Sequence, residues 1–375
     1  MVASFPKSAA LKAIKSLFLC TFSPIIISFF SVLFSFSWLE LRMGVWSHRL
    51  RLLLLNVLLL FPSLYSVNAV GPKEQRSESS ESCDFFEGSW VEDDSYPLYE
   101  DCPFIDAGLN CQKNGRPDKL YLKYRWQPTH CDLRRFDGEA FLQMFRGKKI
   151  MFVGDSLSNN QWQSLACMLY AANSNCTLVR KGNRSILSFP DYELDVTFLK
   201  NGFLVDLVHE ESGRVLKLDS LSRSKQWEDM GLLSSWGKSL QGYGSYGCLL
   251  TTWSNWVDSN IDPNKTKVFF QGISAVHYHG NEWNEPAVQD CRHQTEPIEG
   301  SSFPGERYPG EAVVKDVLGN MTSSVYLLDI ALLTQLRKDG HPSTYAGGAL
   351  DCSHWCVGGV PDSWNQILYS ILIEN

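Results

Sequence analysis

The stretch KKIMFVGDSLSNNQWQSL, residues 148–165, limits the possible folds more than any other part of this chain. Ile150, Met151, Phe152 and Val153 form an uninterrupted apolar run that stops at Gly154, and a polar, helix-like segment follows. A run this short and this apolar reads as a strand buried on both faces. Strand, tight turn and helix in succession are the unit from which an α/β sheet is built. In that frame Gly154 and Asp155 form the turn, and Ser156 falls at the start of the helix. Its hydroxyl lies beyond the carboxyl end of the sheet, where α/β sites sit. The unpaired N–H groups of the first helical turn would face a developing oxyanion. The same tripeptide also fits an ordinary helix N-cap, for which Asp and Ser are favoured.

The rest of residues 139–375 repeats the alternation. Expected strands are Lys149–Val153, Tyr192–Phe198, Phe203–Val208, Lys267–Gln271 and Val325–Asp329. Expected helices are Asn159–Tyr170, Thr251–Asp258, Pro309–Leu318 and Trp364–Ile373. Residues 83–138 carry four cysteines, several prolines and many aromatics with little periodicity, which predicts a disulfide-tied, loop-rich subdomain. Residues 71–82, GPKEQRSESSES, read as a linker. No internal repeat is visible.

A second motif gives Ser156 a partner. In Asp351-Cys352-Ser353-His354-Trp355-Cys356 a carboxylate precedes a histidine by three residues. That spacing lets Asp351 hold one ring nitrogen of His354 and leaves the other to take a serine proton. A structural Asp–His hydrogen bond is an alternative. A metal site is another, since Cys-x-His-x-Cys supplies ligand types, although oxidising conditions favour paired thiols. His277, His279 and His293 lack a carboxylate or cysteine at ligand spacing on one element, so they are expected at the surface or against substrate, and no metal is expected. Among the aromatics, Trp90, Tyr121, Tyr124, Trp126, Trp162, Trp253, Trp256 and Trp283 are expected mostly in the core, with some open to sugar faces.

The first seventy residues differ in composition. Residues 17–39 are apolar enough to span a bilayer. Residues 52–61, LLLLNVLLLF, follow Arg49 and Arg51 and lead into Val67-Asn68-Ala69, the layout of a signal peptide. This second element begins near Met43, so residues 1–42 read as an upstream extension. One effective membrane element, cleaved or kept as an anchor, would place the body in the secretory lumen or outside. Ten of the eleven cysteines lie beyond this leader, an even number suited to disulfides. Four glycosylation sequons agree with that compartment: Asn175-Cys176-Thr177, Asn183-Arg184-Ser185, Asn264-Lys265-Thr266 and Asn320-Met321-Thr322. Beyond residue 70 the chain carries 28 basic against 40 acidic residues, a net charge of −12. Such a body is not drawn to nucleic acid, and it leans toward neutral ligands.

Three long blocks resemble the plant trichome-birefringence-like family, also called the powdery-mildew-resistance type, and together cover most of residues 83–375. They are CDFFEGSWVEDDSYPLYEDCPFIDAGLNCQKNGRPDKLYLKYRWQPTHCDLRRFDG, GKKIMFVGDSLSNNQWQSLACML and DCSHWCVGGVPDSWNQILYSIL. The resemblance implies an SGNH/GDSL-hydrolase-like α/β fold, a mostly parallel sheet flanked by helices, with Ser156, Asp351 and His354 as a triad. It implies a Golgi membrane enzyme with a lumenal catalytic domain, or else a secreted wall protein. Such an enzyme would O-acetylate cell-wall polysaccharides such as xylan, mannan, xyloglucan or pectin, or remove their acetyl groups. It would bind no cofactor and use an acetyl donor as co-substrate. The resemblance also implies the pairs Cys83–Cys131, Cys102–Cys167, Cys111–Cys356 and Cys291–Cys352, with Cys176 and Cys248 unassigned.

Residues 228–250 depart from the family pattern. After RVLKLDSLSRSKQW the family continues with an apolar strand, an asparagine and a tryptophan/histidine-rich stretch. Here EDMGLLSSWGKSLQGYGSYGCLL is shorter and glycine-rich. The expectation is that an oxyanion-stabilising asparagine is lost, which can cost on the order of a hundredfold in rate. A polysaccharide-binding protein with impaired turnover is therefore a rival reading.

Overall fold

In the apolar runs Ile150–Val153, Val268–Phe270 and Val325–Leu328, alternate side chains have to be buried on opposite faces. The computed structural model, which describes residues 83–237 and 243–374, shows how that is met. Eleven strands are described: β1 (Gly88–Glu92), β2 (Tyr124–Pro128), β3 (Lys149–Gly154), β4 (Thr177–Lys181), β5 (Arg184–Phe189), β6 (Leu194–Lys200), β7 (Asp206–Glu210), β8 (Gly213–Lys217), β9 (Leu232–Ser235), β10 (Lys267–Gln271) and β11 (Val325–Leu328). The α-helices are α1 (Gly138–Met144), α2 (Ser156–Ala172), α3 (Tyr243–Asn260), α4 (Gly310–Gly319), α5 (Ala331–Gln335) and α6 (Val360–Glu374).

Seven strands form the central sheet in the order β11-β10-β9-β3-β6-β5-β4. The five from β11 to β6 run parallel, and the β4–β5 hairpin closes one edge antiparallel. Both faces are covered. Ile150, Phe152, Leu232 and Phe269 join the cluster that includes Trp162 on α2 and Trp364 on α6. Their neighbours Met151, Val153, Leu233 and Phe270 join the cluster that includes Trp253 on α3 and Val314 on α4. The chain steps from β3 to β6 on one side, then crosses back to place β9 on the other, so the carboxyl end of β3 faces a topological switch point.

Several expected elements are corrected. Tyr192 belongs to a 3-10 turn, and the strand begins at Leu194. No single strand runs over 203–208. Leu204 adopts a positive φ of 58°, which interrupts an extended run, and Asp206 starts the separate β7–β8 hairpin. Within 228–250 the apolar strand expected to be missing is present: β9 is buried along its length and is central to the sheet. Residues 83–138 contribute Phe85, Trp90, Phe104 and Trp126 to the same core as α2 and α6. Among the described residues, disulfides join Cys83–Cys131, Cys102–Cys167, Cys111–Cys356 and Cys291–Cys352, the pairs the resemblance implies, and Cys176 keeps a free thiol. Among the described residues no helix is long and apolar enough to cross a membrane. The apolar segments of residues 1–70, the extension 1–42 and the linker lie outside the described residues.

Candidate active site

The turn after β3 exists because Gly154 has no side chain. A Cβ there would meet the Ser158 hydroxyl at 2.1 Å and the Trp236 carbonyl at 3.0 Å. Asp155 then caps α2, its Oδ1 accepting the Leu157 N–H at 2.8 Å and its carbonyl the Asn159 N–H at 3.1 Å. The capping role thus falls to Asp155, and the Ser156 hydroxyl is left exposed beyond the sheet.

Ser156 Oγ lies 2.7 Å from His354 Nε2, and His354 Nδ1 lies 2.7 Å from Asp351 Oδ2. The other Asp351 oxygen accepts the Ser353 N–H (2.9 Å), the Ser353 hydroxyl (3.0 Å) and the His354 N–H (3.1 Å). Burial works to raise the pKa of this carboxyl. The hydrogen bonds from His354 and the Ser353 backbone outweigh it and hold Asp351 well below the ordinary carboxylate range. An ionised Asp351 only accepts, so the Nδ1 position carries hydrogen, and in the neutral ring Nε2 faces the serine as a proton acceptor.

The histidine segment is fastened on every side. Disulfides Cys291–Cys352 and Cys111–Cys356 bracket it. Ser343 and Asp351 exchange backbone hydrogen bonds, and the His277 N–H donates to the Cys352 carbonyl at 2.9 Å. Asn160, one helical turn beyond Ser156 and fully buried, accepts the Trp355 N–H at 2.9 Å and donates to the Trp355 carbonyl at 2.9 Å. One amide therefore ties the helix of the serine to the residue after the histidine. From behind, His341 Nδ1 donates to the His354 carbonyl at 2.6 Å. His341 Nε2 meets His277 Nδ1 at 2.7 Å, and His277 Nε2 donates to the Gln335 carbonyl at 2.9 Å. Burial pushes both rings toward the neutral form, His277 to about 4 and His341 well below the ordinary value.

A cleft of about 540 Å³ opens at Ser156, between the ends of β3 and β6 and residues 222–226. Asn201 and Gly202 after β6, Arg223 and Gln226, and the exposed Asn183 in the β4–β5 turn line it. The backbone N–H groups of Ser156 and Gly202 make no hydrogen bond among the described residues. A Cβ on Gly202 would stand 3.0 Å from Asp155 Cβ, so this loop packs tightly against the turn of the serine.

Ser156, Asp351 and His354 are thus brought into one hydrogen-bonded chain, with Gly154 and Asp155 shaping its turn. His277 is not at the surface as expected. It is buried against His341, which no sequence pattern singled out, whereas His279 and His293 are exposed. Among the described residues no cluster of His, Cys, Asp or Glu is placed to hold a metal. Trp90, Tyr121, Trp126, Trp162, Trp253 and Trp283 are core residues. Asn175, Asn183, Asn264 and Asn320 are exposed. Where the family pattern has an asparagine after the strand, the chain reads Ser235-Trp236-Gly237, and Trp236 donates its N–H to the Val153 carbonyl at 2.9 Å. Sequence reasoning missed Asn160, His341 and Gly202. Only Asn160 left a signal, a polar residue four positions from Ser156 on the same helical face.

A five-strand parallel core with an exposed serine at the switch point, backed by a histidine and a carboxylate, defines a protein of the GDSL/SGNH-like class. Residues 133–237 and 234–371 match the PC-esterase family, described as a GDSL/SGNH-like acyl-esterase family found in Pmr5 and Cas1p, and residues 81–132 match the PMR5 N-terminal domain. The two PC-esterase pieces meet at residues 234–237, inside the segment that departs from the family pattern. The chain belongs to this family. It is 47% identical to the Arabidopsis thaliana protein trichome birefringence-like 42 over 88% of this chain and 99% of that protein. It is 47% identical to trichome birefringence-like 41 over 79% of this chain and 92% of that one, and 38% identical to protein trichome birefringence over 80% and 58%, both also from Arabidopsis thaliana.

Proposed function

We propose that this chain is an O-acetyltransferase acting on a cell-wall polysaccharide such as xylan, mannan, xyloglucan or pectin. One observation carries the reading: the continuous Ser156–His354–Asp351 chain, with two contacts of 2.7 Å at the mouth of an open cleft. Ser156 Oγ attacks the acetyl carbonyl of a donor while His354 Nε2 takes its proton, and Asp351 stabilises the imidazolium. The N–H groups of Ser156 and Gly202 face the developing oxyanion. The donor's leaving group departs with the proton from His354 and leaves an acetyl-serine. A sugar hydroxyl then attacks, giving up its proton to His354, and Ser156 regains that proton as the ester is released. No bound cofactor is needed, only an acetyl donor as co-substrate. Water in place of the sugar would make the same site an acetylesterase.

A second reading, a polysaccharide-binding protein with impaired turnover, is favoured by Ser235-Trp236-Gly237 standing where the family pattern has an asparagine donor. The disulfides support a lumenal body, which we place at the Golgi membrane, held by the apolar amino-terminal segment, or outside the cell.

Intact-mass spectrometry after incubation with a reactive acetyl ester tests the assignment. The expected result is a 1:1 acetyl adduct absent from Ser156→Ala and discharged by one class of oligosaccharide. Discharge to water alone would make the protein an esterase. No adduct on the folded protein would bring the binding reading forward.

A further inference from the structure

Of the four sequons, Asn183-Arg184-Ser185 is the one whose asparagine lines the cleft at Ser156. It sits in the two-residue turn between β4 and β5, after Gly182 at φ 61°, and is exposed. A sequon in an exposed reverse turn presents its amide to a modifying enzyme without unfolding. The sheet register fixes where that amide stands. Arg184 pairs with Leu199 on β6, and Leu199 pairs with Val153 on β3. The Asn183 Nδ2 donates to the carbonyl of Lys200, whose register partner is Gly154, two residues before the serine. Two interstrand spacings separate the turn from the end of β3, roughly 10 Å at about 4.8 Å each. That is about the reach of two linked hexopyranoses.

We propose that Asn183 carries an N-linked glycan whose first sugars stand on the rim of the cleft and restrict which acceptors reach Ser156. The inference rests on the acyl-transfer reading of the site and on the lumenal location of the body. In the modification, the Asn183 amide nitrogen attacks C1 of a lipid-diphosphate-linked oligosaccharide. The C1–N bond forms, the C1–O bond to phosphate breaks, the lipid diphosphate leaves, and one amide proton is lost to solvent. The Ser185 hydroxyl completes the sequon. Small acetyl donors pass the rim. Long or branched chains must enter from the side opposite β4–β5 or are excluded.

The experiment compares three forms of the full chain made in a plant secretory host: the parent, Ser185→Ala, which destroys the sequon while keeping Asn183, and Ser185→Thr, which keeps it. Glycopeptide mass spectrometry reads occupancy of Asn183. Calorimetry reads the affinity for disaccharides and hexasaccharides of xylan, mannan and pectin, and acetyl-ester labelling reads Ser156. The parent and Ser185→Thr are expected to be occupied at Asn183, and Ser185→Ala to be bare. Ser185→Ala should bind one hexasaccharide several-fold more tightly than the other two forms, with disaccharide affinity and serine labelling unchanged. An unoccupied Asn183, or equal hexasaccharide affinity in all three forms, including no binding in any, would overturn the proposal. A glycan-dependent affinity difference in protein that never labels at Ser156 would uphold the rim and overturn the acyl-transfer reading instead.

Discussion

At the scale of single residues the site depends on two glycines and one carboxylate. Asp351 is held ionised by the hydrogen bonds of its partners, which outweigh its burial and keep its titration well below the ordinary carboxylate range. Gly202 has the sharper consequence. Its N–H makes no hydrogen bond among the described residues, and an added Cβ would press on Asp155 Cβ at 3.0 Å. Gly202→Ala keeps the N–H but displaces it from the oxyanion position. A misplacement of this kind lowers the rate by roughly tenfold to a hundredfold. The rate of acetyl-serine formation should fall by that amount with the melting temperature little changed. An unaltered rate would remove Gly202 from the oxyanion role.

At the scale of elements, α2 does two tasks: it presents Ser156 at its first turn, and through Asn160 it grips the backbone of Trp355. Asn160→Ala would leave a buried N–H and a buried carbonyl unpaired, at about 1–3 kcal/mol of stability each, and would free the segment that carries His354. The disulfides Cys291–Cys352 and Cys111–Cys356 still bracket that segment, so the chain is expected to fold. Acetyl-serine formation should drop more than tenfold while acceptor affinity holds. Equal losses in both would make Asn160 a stability residue only. Elements were legible in the sequence where burial imposed a pattern. β3, β10 and β11 are built on continuous apolar runs, and α2 and α6 are long segments buried around nearly their whole circumference. β4 is exposed at four of its five positions and carries no such pattern, and β9 ends in two serines buried among larger neighbours. The triad was legible because Gly-Asp-Ser and Asp-x-x-His are local motifs. Asn160, His341 and Gly202 act through contacts 195, 13 and 47 residues distant, which spacing along the chain does not reveal.

At the scale of the whole molecule, residues 83–138 and the catalytic layers share one interior, and a buried acid lies where they meet. Asp362, in the first turn of α6, accepts hydrogen bonds from Ser164 Oγ on α2 at 2.6 Å and from Tyr99 Oη at 3.0 Å. Tyr96 bonds Gln366 one turn further along. Burial pushes the Asp362 carboxyl up to about 7, and the bonds from Ser164 and Tyr99 only partly offset this. The folded state therefore holds a proton that the unfolded chain, with an ordinary carboxyl, releases near pH 4. The contribution to stability is fully present below pH 4 and is lost as pH rises through 7. The complete loss is at most about 4 kcal/mol. Asp362→Asn keeps an acceptor for Ser164 and Tyr99 without a titratable proton. Denaturant unfolding at intervals from pH 5 to pH 8 should show the parent losing stability across that range and the variant nearly flat, so that the variant is the more stable of the two at pH 8. Parallel pH profiles for the two proteins would show that Asp362 is already ionised at pH 5, and that the seam between the amino-terminal segment and α6 accommodates a buried charge.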